Sequence, residues 1–156
     1  RVDTPAVPAA LGSIAALPSA TVQRELRFEQ SMMGGGMHHG SPTSSAASSG
    51  MGPVFSFNGE VFPKVTPLQA KLGDVEEWSL VNTTMMDHPF HLHGFRFQVV
   101  SPSAEPPAWR DTLNVPAGVT VQIRLRLEDH AGMWMFHCHI LEHAERGMMG
   151  ELEVAP

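Results

Sequence analysis

The sequence predicts an all-β sandwich. Apolar and polar side chains alternate over several short runs, which is the period of a half-buried strand. Fourteen Gly and 13 Pro separate these runs at short intervals, as is typical of antiparallel sandwiches and barrels. Helical periodicity is confined to residues 141–146. A chain of 156 residues and 17.0 kDa has the length of one domain of this class.

The N-terminal segment, residues 1–21, differs from the rest of the chain. It mixes Pro, Ala and Ser without periodicity, which is typical of an interdomain linker. It opens on Arg1 and lacks the compact apolar run of a secretory signal peptide, so we expect the chain to be a piece of a longer protein. The folded domain is predicted to cover residues 22–156 and to open with a strand at 22–28.

A Met/Gly/Ser-rich insert is predicted at residues 31–53. It contains almost no branched apolar side chains. Such a segment cannot bury enough surface to offset the entropy lost on ordering, so we expect the insert to be mobile.

Further strands are predicted after the insert, each bounded by turn residues. Asn58-Gly59 is a strong signal for a two-residue hairpin turn between the runs 54–57 and 60–62. The other predicted strands cover residues 75–81, 95–100, 119–127, 133–137 and 150–154. We expect these strands to pair in antiparallel fashion.

The composition argues against two classes of partner. Sixteen acidic and ten basic residues give a net charge of -6, and the basic residues are scattered, so no nucleic-acid-binding surface is expected. No apolar run approaches the roughly 20 residues of a membrane-spanning helix, so no membrane partner is expected. Nine His, ten Met and one Cys form an excess of metal ligands that ordinary core packing does not require.

Six of the nine histidines fall in two short segments, His-Pro-Phe-His-Leu-His at 88–93 and His-Cys-His-Ile-Leu-Glu-His at 137–143. In a strand, residues i and i+2 share a face and residue i+1 points away. His137 and His139 therefore face one side and Cys138 the other. His91 and His93 repeat the imidazole pair. Imidazoles on one face and a thiolate on the opposite face predict two metal centres on the order of 10 Å apart.

The thiolate side offers the ligand set of a blue-copper electron-transfer site. Such a site combines two imidazoles, one thiolate and a long axial thioether. The candidates are His88 from the preceding loop, Cys138, His143 and Met148, with Met149 as the alternative thioether. Zinc is the main rival, but a structural zinc site usually has two or more Cys in C-x-x-C spacing, and this chain has one Cys.

Two segments carry a family resemblance, DHPFHLHGFRFQVV at 87–100 and MFHCHILEHAERGMM at 135–149. They closely resemble the copper-binding signatures in the last cupredoxin domain of multicopper oxidases, the family of laccases, bilirubin oxidases and bacterial cuprous oxidases. Also similar to that domain are FNGEVFP at 57–63, GDVEEWSLVN at 73–82 and WRDTLNVPAG at 109–118, so the resemblance covers about residues 22–156. It implies a cupredoxin-like Greek-key β-sandwich.

The resemblance also implies copper as the cofactor and a role for each ligand. The implied type 1 copper ligands are His88, Cys138, His143 and Met148. The implied type 2 ligand is His91, and the implied type 3 ligands are His93 and His137 for one copper and His139 for the other. Electrons from a reducing substrate would pass through Cys138 to His137 and His139, the implied catalytic residues. Four such one-electron oxidations would reduce one O2 to water.

Half of an oxygen-reducing cluster is missing from the sequence. The family uses four His-x-His pairs, and this chain has two. We expect the others to come from the remaining cupredoxin domains of a parent oxidase; two copies meeting about a two-fold axis is the less favoured hypothesis. The alternatives are an autonomous blue-copper electron carrier, which has no use for the His-x-His pairs, and a copper-storage or zinc-binding module.

The chain departs from the family just after the last histidine ligand. Bacterial relatives often carry Glu-Asp there, with the Glu credited with proton delivery, whereas this chain has Ala144 and Glu145. Asp87 and Glu145 are the candidate proton carriers. A hydrogen-bonding or solvated acid is the more ordinary role for each of them.

The Met-rich insert has an expected role of its own in copper binding. Because thioethers prefer Cu(I), the insert could recruit cuprous ions, as similar segments of cuprous oxidases are thought to do; a linker that merely contains Met is the alternative. The candidate accessory ligands are Met32, Met33, Met37, His38, His39 and Met51.

The reducing substrate stays open between phenols, bilirubin-like compounds and Cu(I). The family and its copper chemistry imply a periplasmic or extracellular location.

Overall fold

Two facing β-sheets form the fold in the computed structural model, which describes residues 12–32, 52–102 and 105–156. The elements in the described residues are β1 Val22–Met32, β2 Pro53–Phe57, β3 Leu68–Lys71, β4 Val75–Asn82, β5 His88–Leu92, β6 Phe97–Ser101, β7 Thr112–Val115, β8 Thr120–Arg126, β9 Gly132–Cys138, α1 Leu141–Glu145 and β10 Met149–Ala155. The first sheet has the strand order β2-β1-β4-β8-β6, and the second has the order β3-β10-β9-β5-β7. The all-β sandwich predicted from alternation is confirmed.

Two of the strand pairs run parallel, β1 with β4 and β3 with β10. The expectation of antiparallel pairing is wrong at these positions. Alternation reports which side of a strand is buried, but it carries no information on the direction of the neighbouring strand. Because β2 folds back along one edge of β1, the other edge is open to β4, which runs in the same direction as β1.

Aromatic side chains dominate the core between the two sheets. Phe90 of β5 lies at its centre, with its ring centroid 6.0 Å from those of Phe28 and Phe136 and 6.4 Å from that of Trp78. All four side chains are buried. Because burying one such side chain contributes roughly 1.5–3 kcal/mol, this cluster holds β5 and β9 firmly against the first sheet.

The predicted Asn58-Gly59 turn is present. Both residues have positive φ, 52° and 76°, as a tight hairpin turn requires, and Phe57 and Glu60 exchange backbone hydrogen bonds of 3.2 and 2.9 Å. The strand predicted at 60–62 is wrong, because isolated bridges stand there instead. Three strands are not predicted by the alternation pattern: β3 and β7 have four residues each and β5 has five, which is too short for alternation to be recognised there.

Hydrogen bonds join parts of the predicted linker and of the predicted insert to the β-sandwich. Near the N-terminus, the Leu17 N–H donates to Gln98 Oε1, and Gln98 Nε2 donates to the Ala15 carbonyl, each at 2.8 Å. In the predicted insert, Met32 pairs with Pro53 at the end of the β1–β2 ladder, contrary to the expected mobility there. Backbone pairing places Met32 in the ladder although its side chain is exposed. Residues 33–51 lie outside the described part of the chain.

None of the helices in the described residues has the length and apolar character that crossing a membrane requires.

Candidate metal centres

Strands β5 and β9 lie side by side in the second sheet and carry most of the candidate ligands. They pair antiparallel, with Phe90 opposite Cys138 and His91 opposite His137. The pleat sends His88, Phe90 and Cys138 into the core and turns His91 and His137 to the outer face. The predicted placement of Cys138 and His137 on opposite faces of β9 is therefore present. On β5, His88 and His91 are likewise on opposite faces.

The group on the core side, the inner cluster, consists of His88, Cys138 and His143. All three side chains are buried. Cys138 Sγ lies 3.6 Å from His88 Nδ1 and 3.6 Å from His143 Nδ1, and the two nitrogens are 3.1 Å apart. The centre of that triangle is about 2.0 Å from each atom, which is the length of a metal–nitrogen bond.

Three elements deliver the inner cluster. His88 is the first residue of β5, which corrects the expectation that it lies in a loop, and Cys138 is the last residue of β9. His143 follows on α1, whose five residues allow the chain to turn back beneath the sheet. Gly147 ends that turn at a φ of 109°, and a Cβ there would lie 2.9 Å from the Phe55 carbonyl oxygen. Only glycine fits this return.

Aromatic rings close the inner cluster off from water. Phe55 stacks on His143 with ring centroids 4.0 Å apart, and it meets His88 edge-on at 5.9 Å. Phe28 meets His88 edge-on at 5.9 Å from the other side. This packing fixes both imidazole planes.

The same burial shifts the protonation of all three ligands. It lowers the pKa of His88 to about 4, with a smaller contribution from the nearby His143. Burial also lowers the pKa of His143 and raises the pKa of the Cys138 thiol. At neutral pH the site therefore presents two neutral imidazoles and a thiol, whose proton a soft cation displaces when it binds.

Met148 precedes β10 directly, and Met149 is the first residue of that strand. Met148 is fully buried, its N–H donates to the His143 carbonyl at 3.0 Å, and its own carbonyl accepts from the Cys138 N–H at 3.1 Å. Met149 stands opposite His137 in the β9–β10 ladder and shares its outer face. Of the two methionines, Met148 is the one whose side chain belongs to the buried core that contains Cys138.

The outer cluster consists of His91, His93 and His137. Their ligand nitrogens all lie within 4.8 Å of one another, and His93 Nε2 is 3.0 Å from His137 Nε2. His139 stands beside them, with its ring 5.6 Å from that of His137 and 5.7 Å from that of His91. Unlike the inner cluster, this group is only half buried, and His93 and His139 are exposed.

Backbone and side-chain oxygens select the nitrogens that the outer cluster offers. His91 Nδ1 lies 3.0 Å from the Asp111 carbonyl and 2.9 Å from Thr112 Oγ1. His137 Nδ1 lies 3.0 Å from the Cys138 carbonyl. Since a carbonyl oxygen can only accept, each Nδ1 carries the hydrogen, which leaves Nε2 free to bind a metal.

Burial lowers the pKa of His93, and its three histidine neighbours lower it further. A lowered pKa favours the neutral imidazole, which is the form that binds a metal ion.

The two candidate proton carriers are exposed acids. Asp87 accepts from Asn114 Nδ2 at 2.8 Å and from the Ala117 N–H at 3.0 Å, and the Asn114 bond chiefly lowers the pKa of Asp87. These contacts anchor the loop before β8 and keep the carboxylate ionised. Glu145 lies exposed on α1.

Of the candidate accessory copper ligands, Met32 alone is among the described residues. Met32 is 73% exposed at the end of β1, which leaves its thioether open to solvent. The remaining accessory candidates lie outside the described residues: Met33, Met37, His38, His39 and Met51.

Sequence reasoning missed the residues that hold the ligands. Thr84 bonds to His88 and is itself bonded to Asn82. Thr112 bonds to His91, and Phe55 stacks on His143. The spacing of His88 and His91 by three residues was a usable signal, because an odd spacing places two strand residues on opposite faces. No pattern in the sequence pointed to the supporting contacts, since Thr112 and Phe55 are distant in the chain from their histidines.

Comparison with known proteins identifies close relatives. The family model described as multicopper oxidase matches residues 33–156. A multicopper oxidase of Staphylococcus epidermidis is 36% identical over 115 residues, which are 67% of this chain and 26% of that protein. Copper resistance protein A of Escherichia coli is 37% identical over 101 residues, which are 65% of this chain and 16% of that protein. The chain thus spans about a quarter or less of these relatives.

Solved structures share the fold. A multicopper oxidase from Campylobacter jejuni, described as a metallo-oxidase, superimposes with a TM-score of 0.74 at 31% identity, over 97% of this chain and 34% of that one. McoA multicopper oxidase from Aquifex aeolicus gives a TM-score of 0.72 at 27% identity, over 97% of this chain and 33% of that one. The cupredoxin-like sandwich implied by the resemblance is confirmed.

Proposed function

The chain belongs to the multicopper oxidase family, and from this premise we propose a division of labour between its two clusters. The inner cluster accepts electrons from a small reducing substrate. The outer cluster contributes half of the site where O2 is reduced to water. The chain is then the type 1 copper-bearing cupredoxin domain of a larger oxidase.

The inner donor set fits copper. Two imidazole nitrogens and one thiolate converge within 4.8 Å in a buried site, and the thioether of Met148 is buried on the same side. Copper bound to such a set supplies reversible one-electron chemistry. A structural zinc site favours additional thiolates, and Cys138 is the sole cysteine of the sequence.

One observation carries the proposal: adjacent residues of β9 serve opposite faces of one sheet. Cys138 belongs to the inner cluster, and His137 belongs to the outer cluster. A peptide bond joins them, and the His137 Nδ1–H donates to the Cys138 carbonyl at 3.0 Å. We infer that, with copper held at the inner cluster, Cys138 and His137 would provide a short covalent path for electrons to the outer cluster, with His139, the next residue, offering a second branch.

The outer cluster accounts for the expected partners. Its imidazoles are half buried or exposed, and the Nδ1 hydrogen bonds of His91 and His137 leave the Nε2 atoms of these two rings without a hydrogen. An incomplete, outward-facing ligand set requires further ligands from another surface. The remaining cupredoxin domains of the oxidase are the proposed source, with a second copy of the chain as the alternative.

Substrate and location follow from the same proposal. The relatives include copper resistance proteins and a laccase, so Cu(I) and phenols are both proposed substrates, beside bilirubin-like compounds. The exposed thioether of Met32 supports an accessory role toward Cu(I). A periplasmic or extracellular location is proposed, where copper handling and access to O2 coincide.

Metal analysis combined with optical and EPR spectra tests the proposal. We expect the copper-loaded chain to show the intense visible absorption of a copper–thiolate bond. Cys138→Ser should abolish this band and leave copper on the outer cluster. His91→Gln, the matched control on the outer face, should keep the band. A visible band that survives in Cys138→Ser would contradict the proposal, and preference of the inner cluster for Zn²⁺ over copper would favour the zinc-binding alternative.

A further inference from the structure

A buried hydroxyl lies behind the inner cluster. Thr84 Oγ1 is 2.8 Å from His88 Nε2, the ring nitrogen that points away from Cys138 and His143. Thr84 is 7% exposed and His88 is fully buried, so water does not compete for this contact. The question is which of the two atoms carries the hydrogen.

Asn82 supplies the first part of the answer. Its Nδ2 faces three backbone carbonyls, those of Met86 at 2.8 Å, Val115 at 3.0 Å and Pro116 at 3.0 Å. Carbonyls only accept, so the amide nitrogen must be the atom on that side. The Asn82 Oδ1 atom therefore faces Thr84 and can only accept.

Counting hydrogens around Thr84 gives the second part. The hydroxyl has one hydrogen, and two acceptors compete for it: Asn82 Oδ1 at 2.9 Å and the Met86 carbonyl at 3.1 Å. The Met86 N–H points at the oxygen from 3.2 Å and takes one lone pair. If the hydrogen went to His88 instead, two acceptor oxygens would face the lone pairs of Thr84, which is repulsive.

From this arrangement we propose that Thr84 is a positioning residue, which holds His88 in the tautomer with hydrogen on Nε2 and keeps Nδ1 free for the metal. This role rests on the proposed function of His88 as a copper ligand. The His88 Nε2–H donates to Thr84 Oγ1, and the Thr84 hydroxyl donates to Asn82 Oδ1. A chain of two hydrogen bonds thus orients the ligand from a rigid loop, as second partners of metal-bound histidines commonly do.

The tautomer has a direct consequence at the inner cluster. His88 Nδ1 is the atom that faces Cys138 Sγ at 3.6 Å and His143 Nδ1 at 3.1 Å. With hydrogen on Nε2, a lone pair occupies this position before any cation arrives. Without the Thr84 acceptor, a buried N–H would be left unpaired, and the ring would move its hydrogen to Nδ1 or turn.

The test compares neighbouring threonines in the full chain. Thr84→Val removes the hydroxyl at nearly constant volume, and Thr84→Ser restores it. Thr83→Val is the matched control. The Thr83 hydroxyl also donates a partly buried hydrogen bond, to the Phe28 carbonyl at 2.7 Å, but this bond involves no histidine. Long-range ¹H–¹⁵N NMR reads the His88 tautomer in the metal-free chain, and competition with a chromophoric chelator reads Cu(I) affinity.

We expect His88 in Thr84→Val to lose the pure Nε2–H tautomer and the Cu(I) affinity to fall about 10- to 100-fold. Thr84→Ser and Thr83→Val should keep the tautomer and stay within about twofold of the parent in Cu(I) affinity. An unchanged tautomer and affinity in Thr84→Val would overturn the proposal. Should Thr84→Val not fold, Thr84→Ala takes its place with the same expected readouts.

The two proposals fail separately. Parent-like Cu(I) affinity in Cys138→Ser would overturn the proposed function of the inner cluster, while the metal-free tautomer experiment would still decide the role of Thr84.

Discussion

The inner and outer clusters use the same residue types on the same two strands, yet they differ in almost every physical property. The inner cluster is buried between aromatic rings, and its ligand atoms form a closed triangle with sides of 3.1, 3.6 and 3.6 Å. The outer cluster is half buried or exposed, and its His91 and His137 rings are oriented by hydrogen bonds at Nδ1 that leave Nε2 without a hydrogen. A strand pleat only one residue deep separates the two environments.

The difference teaches how one sheet can build a finished site and an unfinished one. Core packing fixes the inner ligands because any displacement of His88 or His143 must also displace Phe55. In the outer cluster, His91 is held by contacts of its Nδ1 with the Asp111 carbonyl and the Thr112 hydroxyl, rather than by burial between aromatic rings. We therefore expect changes behind the inner cluster to alter stability and ligand geometry, and changes in the outer cluster to alter only metal binding.

The largest effect is expected from Phe55→Ala. Phe55 is 2% exposed and stacks on His143, so the truncation leaves a cavity beside the inner cluster and should lower the free energy of unfolding by about 3–5 kcal/mol. Urea unfolding of the metal-free chain measures this loss. Met133→Ala, which removes a side chain that is 52% exposed on β9, should change the value by less than about 0.5 kcal/mol. An equal loss of unfolding free energy in both variants would contradict the proposal that packing around the inner cluster is tighter than on the outer face.

The second largest effect is expected from acidification, which should lower the free energy of unfolding through His88. The folded pKa of His88, about 4, is below its ordinary value of 6.5, so the unfolded chain binds more protons between these values. Stability is therefore complete above about pH 6.5 and falls as the pH drops through 4, with His88 contributing up to about 3 kcal/mol. Unfolding at pH 7 and pH 4 measures the fall. His88→Gln should reduce it, whereas His130→Gln should not; an undiminished fall in His88→Gln would refute the assignment.

Replacing each of the two methionine thioethers tests which of them belongs to the inner cluster. Met148→Leu should raise the reduction potential of the copper-loaded chain by about 60 mV, a tenfold change in a one-electron equilibrium, because a thioether stabilises the cupric form more than an aliphatic group does. The visible absorption should persist. Met149→Leu lies on the outer face and should leave the potential unchanged. Voltammetry that shows no shift for Met148→Leu would count against its axial role.

The smallest effect on the fold is expected from His93→Gln. His93 is exposed, so the free energy of unfolding should change by less than about 0.5 kcal/mol. Zn²⁺ titration should show weakened binding at the outer cluster, and the visible absorption of the copper-loaded inner cluster should not change. A shift in that absorption would mean that the two faces are coupled more tightly than the pleat suggests.

Most of the ligand chemistry could be predicted from the sequence. Alternation assigned Cys138 to one face of β9 and His137 and His139 to the other, because side-chain direction in a strand follows from local backbone geometry. The residue types then indicated soft-metal and imidazole ligands. The same reasoning failed for strand direction and for β3 and β7, where short runs carry too little periodicity.

The sequence by itself determined which side chains are the candidate metal ligands, and it assigned Cys138 and its two neighbouring histidines to opposite faces of β9. Only the tertiary structure decided that Phe90 lies opposite Cys138, which brings His88 within 3.6 Å of a thiol 50 residues away. It also decided that Thr84 and Asn82 stand behind His88. The physical reason is that side-chain alternation is a property of a few neighbouring residues, whereas strand register and the distances between ligands are set by core packing between segments far apart in the chain.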